Sequence, residues 1–295
     1  MKKISFSNIL VLIMITLMFA GCANKQADTN AGTGTEEKPI VAVSIVPEET
    51  FVKAVCGDMA DVVVLIPPGS SPENYEPTPK EMEQFSNAKV YFTMGVPTEE
   101  ANILPKAGEM NDLRIISLQD DVSKLYPDLE LAPGERDPHI WLSPKRAMVM
   151  VQSIAREMGE IDPENKNEYD ENAQEYIKQL EDLDKEIQKA LEGVENRKLI
   201  VFHPAFGYLA DDYGLEMYAL EEEGKEATPQ KLQEMIDLAK KENIKAIFYQ
   251  AEISSAQAES FAEEIGGKTV QLEPLASDYI ENLKNMAKLI SEVMQ

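Results

Sequence analysis

DPENKNEYDENAQEYIKQLEDLDKEIQKALEG, residues 162–193, is the longest periodic stretch in this 295-residue chain. Tyr169, Ala173, Ile177, Leu180, Leu183, Ile187 and Leu191 recur at spacings of three and four, which places them on one face of an α-helix. Asp162 reads as the N-cap, Pro163 as the first helical residue and Gly193 as the terminator. A helix over 163–192 would be about 45 Å long at 1.5 Å per residue. Its apolar stripe is narrow and its flanks are acidic, which fits a helix lying along two lobes and fixing their separation. A coiled-coil partner for a stripe of about four heptads is the competing reading.

Short apolar, β-branched runs recur on either side: 40–46, 62–66, 89–93 and 114–118 before it, then 198–202, 215–220, 246–250 and 269–272 after it. Helical patterns separate most of them, an alternation that builds parallel sheets with helices on their faces. The expected fold is α/β: two lobes, each a four-stranded, mainly parallel sheet flanked by helices, joined by one long rigid helix. The N-terminal lobe would cover 39–161, the helix 162–193 and the C-terminal lobe 194–295.

Ahead of the first lobe, Lys2 and Lys3 precede an apolar run, 9–20, that is short for a bilayer span, and Phe19-Ala20-Gly21-Cys22 closes it. This resembles a bacterial lipoprotein signal, in which 1–21 is removed and Cys22 is lipidated. The protein would then be anchored on the extracytoplasmic face of the cell membrane, at the cell surface or in the periplasm. An ordinary signal peptide with an incidental cysteine is the alternative. Residues 22–38 are small and polar and read as a flexible tether. The only other cysteine, Cys56, reads as a small buried hydrophobe near a helix end.

The chain holds 28 basic and 53 acidic residues, a formal net charge of −25. Such a body repels nucleic acid and anionic lipid and draws cations toward itself. Histidine is scarce: His139 and His203 are the only two. Each sits in a distinctive segment, DPHIWLSP (137–144) and HPAFGY (203–208). A hydrogen-bonded core or cap histidine is the plain reading; a neutral imidazole that binds metal or moves protons is the functional one.

Placement favours the second. His203 follows the strand 198–202, Glu273 follows the strand 269–272, and the loop carrying Glu73 and Glu76 follows the strand 62–66. Open parallel sheets bind ligands at the carboxyl ends of their strands. His139 precedes a helix that begins near Ser143, and a cleft between lobes is where these residues would converge.

Four segments in order, PENYEPTP (72–79), DPHIWLSP (137–144), HPAFGYLADDYGL (203–215) and LEPLASDY (272–279), together resemble the signature segments of the metal-binding lipoproteins of zinc and manganese ABC importers. The resemblance covers nearly everything after the tether. It implies one divalent transition-metal ion, zinc or manganese, held between the lobes and delivered to a membrane permease with a cytoplasmic ATPase. It implies no catalysis, and a monomer is expected. His139 and His203 match metal-binding histidines, and Glu273 falls where the family places a carboxylate, most often Asp. Glu73 departs from the pattern, because the usual loop reads Pro-His-x-Tyr-Glu-Pro.

A carboxylate oxygen can replace an imidazole nitrogen on a first-row dication, so Glu73, His139, His203 and Glu273 would close a tetrahedral, charge-neutral N2O2 site. Zinc is slightly favoured over manganese on intrinsic affinity, although the carboxylates pull toward manganese or ferrous iron. Tyr75, Glu76 and Trp141 are expected to surround these ligands, with Phe206 and Tyr208 completing an apolar wall. The loop 119–136 lacks the His-rich tract of many zinc-type relatives. A metallohydrolase is one alternative, yet no His-Glu-x-x-His segment occurs. A surface adhesin or organic-solute receptor on the same scaffold is the other. Gly266-Gly267-Lys268-Thr269 imitates a phosphate loop but precedes a strand instead of following one, which excludes nucleotide binding there.

Overall fold

Alternation along the central strands explains why their sequences read as continuous apolar runs. Val41 and Val43 of β1 (Ile40–Val43) enter one core while Ala42 between them enters another. A strand covered on both faces has no polar side to show. The computed structural model describes residues 38–221, 225–253 and 256–294; the expected signal, tether and Cys22 lie outside them. Lys38–Gln295 is one compact unit.

The first sheet is built from β1, β2 (Asp61–Val64), β3 (Val90–Thr93) and β4 (Arg114–Ser117), all parallel in the order β2-β1-β3-β4. Helix α1 (Val46–Cys56) follows β1, α2 (Pro79–Phe85) follows β2, and a π-helical turn (Glu99–Ile103) leads into α3 (Leu104–Ala107) after β3. After β4 come α4 (Leu118–Ser123), a hairpin of β5 (Glu130–Ala132) and β6 (Glu135–Arg136), and a 3-10 turn (Ile140–Leu142). Two long helices, α5 (Pro144–Ile161) and α6 (Lys166–Leu191), then lead to the second sheet.

That sheet comprises β7 (Lys198–Val201), β8 (Glu216–Ala219), β9 (Ala246–Gln250) and β10 (Lys268–Leu272), parallel in the order β10-β9-β7-β8. Helices α7 (Gly207–Tyr213), α8 (Pro229–Lys241), α9 (Ala256–Glu264) and α10 (Tyr279–Met294) accompany it. All eight strands expected from sequence are present, within a residue or a few at their ends. A central core joins the facing sides of both sheets through α1, α5, α6 and α10, including Val43, Phe92, Ile154, Leu180, Val201 and Leu283. Two satellite cores cover the outer faces, around Tyr91 and Phe85 on the first sheet and Ile247 and Phe261 on the second.

Ser/Thr-Pro pairs open three helices. Thr78, Ser143 and Thr228 each accept the backbone N–H three residues on, and the following proline occupies the first helical position. The long helix α6 starts at Lys166, not at Pro163. Asp162 is instead the C-cap of α5, and its carboxylate accepts the Tyr169 hydroxyl at 2.7 Å and the Asn165 amide at 2.7 Å. The stripe of α6 is used up within the chain, since Tyr169, Ala173, Leu180, Leu183, Ile187 and Leu191 are all buried. Cys56 ends α1, fully buried, and burial with the nearby Asp162 pushes its thiol up to about 12.

Candidate metal centre

The Glu73 loop leaves β2 and is pinned to the turn that follows β3. Thr98 N–H donates to Pro72 O at 3.1 Å, Tyr75 N–H to Thr98 Oγ1 at 3.0 Å, and the Asn102 amide to Tyr75 O at 2.8 Å. His139 lies just ahead of the 3-10 turn, and that segment is fastened to the second lobe. The Trp141 indole N–H donates to Pro274 O at 2.9 Å, the Tyr279 hydroxyl to Trp141 O at 2.6 Å and the Tyr208 hydroxyl to Asp137 O at 3.0 Å. Asp212 accepts from Ser143 Oγ and, at 3.0 Å, from Arg146 Nη1. His203 follows β7 directly, so both histidines stand on one body.

His139 and His203 are 4% and 5% exposed, their Nε2 atoms 3.3 Å apart. Glu73 Oε1 lies 3.6 Å from His203 Nε2 and 3.9 Å from His139 Nε2. Donors held about 2.0–2.1 Å from one tetrahedral ion stand about 3.3–3.4 Å apart, so the histidine pair already matches and Glu73 is a few tenths of an ångström wide. Each Nδ1 faces a buried carboxylate, Asp137 Oδ1 at 2.7 Å from His139 and Glu221 Oε2 at 3.1 Å from His203. The chemistry this permits is capture of a small cation on two imidazole nitrogens and one oxygen. A cleft of about 750 Å³ borders Glu73, lined also by Gly95, Gln119, Leu131, Arg136 and Pro138.

Glu73, His139 and His203 are thus brought together, and their donor atoms all lie within 4.8 Å of one another. Glu273 is not in that group. Strand β10 is two places from β7 across β9, so Glu273 starts about 10 Å from His203 at 4.7–4.9 Å per strand. Its exposed side chain receives the Gln271 amide at 3.5 Å, and its charge adds to burial in raising the Glu252 carboxyl.

Trp141 does pack on the site, its ring 5.1 Å from that of His139. The Tyr75 hydroxyl turns to Glu81 at 3.0 Å, and Glu76 is exposed. Phe206 and Tyr208 are buried in the central core. Sequence reasoning missed two residues at the site. Asp137 stands inside the quoted DPHIWLSP segment, two residues from His139, which is a readable signal. Glu221 heads an acidic run, 221–223, and is marked only by its place at the end of β8 beside β7.

Residues 41–293 match the family described as ZnuA, zinc-uptake complex component A, periplasmic. The high-affinity zinc uptake system protein ZnuA of Bacillus subtilis (strain 168) is 31% identical over 284 residues, covering 92% of this chain and 88% of that protein. The zinc-binding lipoprotein AdcA of Streptococcus pneumoniae (strain ATCC BAA-255 / R6) is 31% identical over 311 residues; this covers 99% of the chain but 59% of AdcA. A crystal structure of ZnuA superposes with a TM-score of 0.82 at 35% identity, covering 88% of this chain and 100% of that one.

Proposed function

We propose that this chain, which belongs to the ZnuA family of zinc-uptake components, is the substrate-binding component of an ABC metal importer and carries one divalent transition-metal ion on Glu73, His139 and His203. The observation that supports this is the convergence of two buried imidazole nitrogens and one carboxylate oxygen at spacings a single cation can span. Zinc is the cargo assigned first, because two imidazoles suit it and the relatives above are named for it; the carboxylate keeps manganese and ferrous iron within range. Three protein donors leave one tetrahedral position, which we assign to solvent in place of Glu273.

The family is one of transport binding proteins, not of enzymes, and the carrier's work is capture and release. The loaded protein would hand its ion to a permease driven by a cytoplasmic ATPase. Lipidated Cys22 would tether it, as a monomer, to the extracytoplasmic membrane face. Metal analysis and titration of the purified protein with zinc and manganese, beside hydrolase assays, test the reading. The expected result is one ion per chain and no turnover, with binding lost in His203→Ala and held within about twofold in Glu76→Ala and Glu273→Ala. Absence of stoichiometric binding sinks the carrier reading. A tenfold loss in Glu273→Ala, about 1.4 kcal/mol, would return Glu273 to the ligand set.

A further inference from the structure

Two buried acids at the centre hold no metal-facing position. The Asp137 side chain is 2% exposed and that of Glu221 8%. A carboxylate taken this far from water is costly unless hydrogen bonds compensate it. Asp137 Oδ1 accepts twice from His139, from its backbone N–H at 2.9 Å and opposite its Nδ1 at 2.7 Å. Glu221 Oε2 stands 3.1 Å from His203 Nδ1, and its own backbone N–H is fixed to Phe202 O at 2.9 Å, across the β7–β8 pair.

Room has been made for one of them. A Cβ added to Gly207 would sit 2.6 Å from Asp137 Oδ2, so the glycine of HPAFGY is the gap into which the aspartate of DPHIWLSP fits. The two histidine segments therefore interlock through an acid and a glycine, not through the rings alone.

An imidazole that donates from Nδ1 to a carboxylate keeps Nε2 as a bare lone pair. The two Nε2 atoms face one small space 3.3 Å apart, close enough for one to donate to the other if its ring carried the proton there. With the other tautomer a ring would push an N–H into that space and turn its lone pair away from Glu73. We propose that Asp137 and Glu221 are positioning residues that lock both rings in the Nδ1–H tautomer and so commit Nε2 of His139 and of His203 to the ion. This rests on the carrier reading above and adds the two residues that make its donors available before metal arrives.

The composition of the chain makes the test direct. His139 and His203 are its only histidines, so two-bond 1H–15N correlation spectra of the protein, prepared without affinity histidines, contain two rings and no others. Recorded metal-free at a pH where both rings are neutral, they should show two Nδ1–H tautomers. In Glu221→Leu, the His203 ring should become a tautomer mixture while His139 stays unchanged, and zinc affinity should fall by about ten- to a hundredfold. Glu221→Gln, which keeps an acceptor oxygen, should recover part of that loss. Gly207→Ala should disturb only the His139 ring, a second route that leaves both acids in place. A Glu221→Leu protein with an unaltered His203 tautomer and zinc affinity within twofold of the parent would overturn the proposal. Because the spectra are read without metal, a parent protein that holds both tautomers yet binds no zinc would overturn the carrier reading alone.

Discussion

Glu73 is the single position at which the chain departs from Pro-His-x-Tyr-Glu-Pro, and it lies where the usual histidine would. If its oxygen completes the centre, Glu73→Ala should weaken metal binding by at least about tenfold, roughly 1.4 kcal/mol. Glu73→His should keep binding and raise the preference for zinc over manganese, because a nitrogen replaces a harder oxygen. The ratio of the two dissociation constants is the measurement, since removing a negative charge lowers affinity for any dication at the same time. Parent-like ratios and affinities in both variants would remove Glu73 from the site. His139 and His203 were legible because the chain uses histidine twice and frames each with proline and aromatic residues, Pro138 and Trp141 in one segment and Pro204, Phe206 and Tyr208 in the other. Glu221 was not, because its place beside His203 depends on β8 lying next to β7, a tertiary neighbour relation that no local pattern carries. Glu273 shows the converse: it too follows a strand end, but β10 lies two places from β7 across β9, and its carboxylate is not among the grouped donors.

Among the elements, the central strands β1, β3, β7 and β9 were the most legible, because burial on both faces leaves an apolar run, whereas the edge strands β2, β4, β8 and β10 are partly exposed. The start of α6 was misplaced by three residues because Asp162-Pro163 has the chemistry of a cap and first turn, which the chain spends on closing α5. The β5–β6 hairpin went unread: its strands are three and two residues long, and Leu131 is exposed. The ends of β1 and β3 hold an element whose stability should depend on pH. Glu99, fully buried, accepts the Met94 and Gly95 N–H groups at 2.8 Å each and the Ser44 hydroxyl, while Glu48 accepts the Ser44 and Ile45 N–H groups at 2.9 and 3.0 Å. Burial pushes the Glu99 carboxyl up to about 7 against the opposing pull of those bonds, and burial with the Glu99 charge raises Glu48 as well. The folded state therefore keeps a proton that the unfolded chain releases. That contribution is full below about pH 4.5 and is lost as pH rises through about 7. Metal-free Glu99→Gln should accordingly lose less melting temperature than the parent between those limits. Parallel slopes would show that Glu99 does not carry the dependence.

At the scale of the whole molecule, an ion that binds the folded state alone stabilises all of it. At one hundred times the dissociation constant the gain is about 2.7 kcal/mol, which for a unit of this size raises the melting temperature by roughly 5–10 °C. Calorimetry with EDTA and then with excess zinc should show that rise, and identical transitions would contradict metal capture. The fastening of the His139 segment to the second lobe, through Trp141, Tyr208, Tyr279 and Asp212, divides the donors two against one. Departure of a cargo bound there would then not require dismantling the histidine pair. For an ion held on Glu73, His139 and His203, withdrawal of the loop after β2 would unfasten one tooth of the clasp and leave two nitrogens. Dwell time of such an ion would then depend on how firmly Thr98 and Asn102 grip that loop, two residues outside the group of donors.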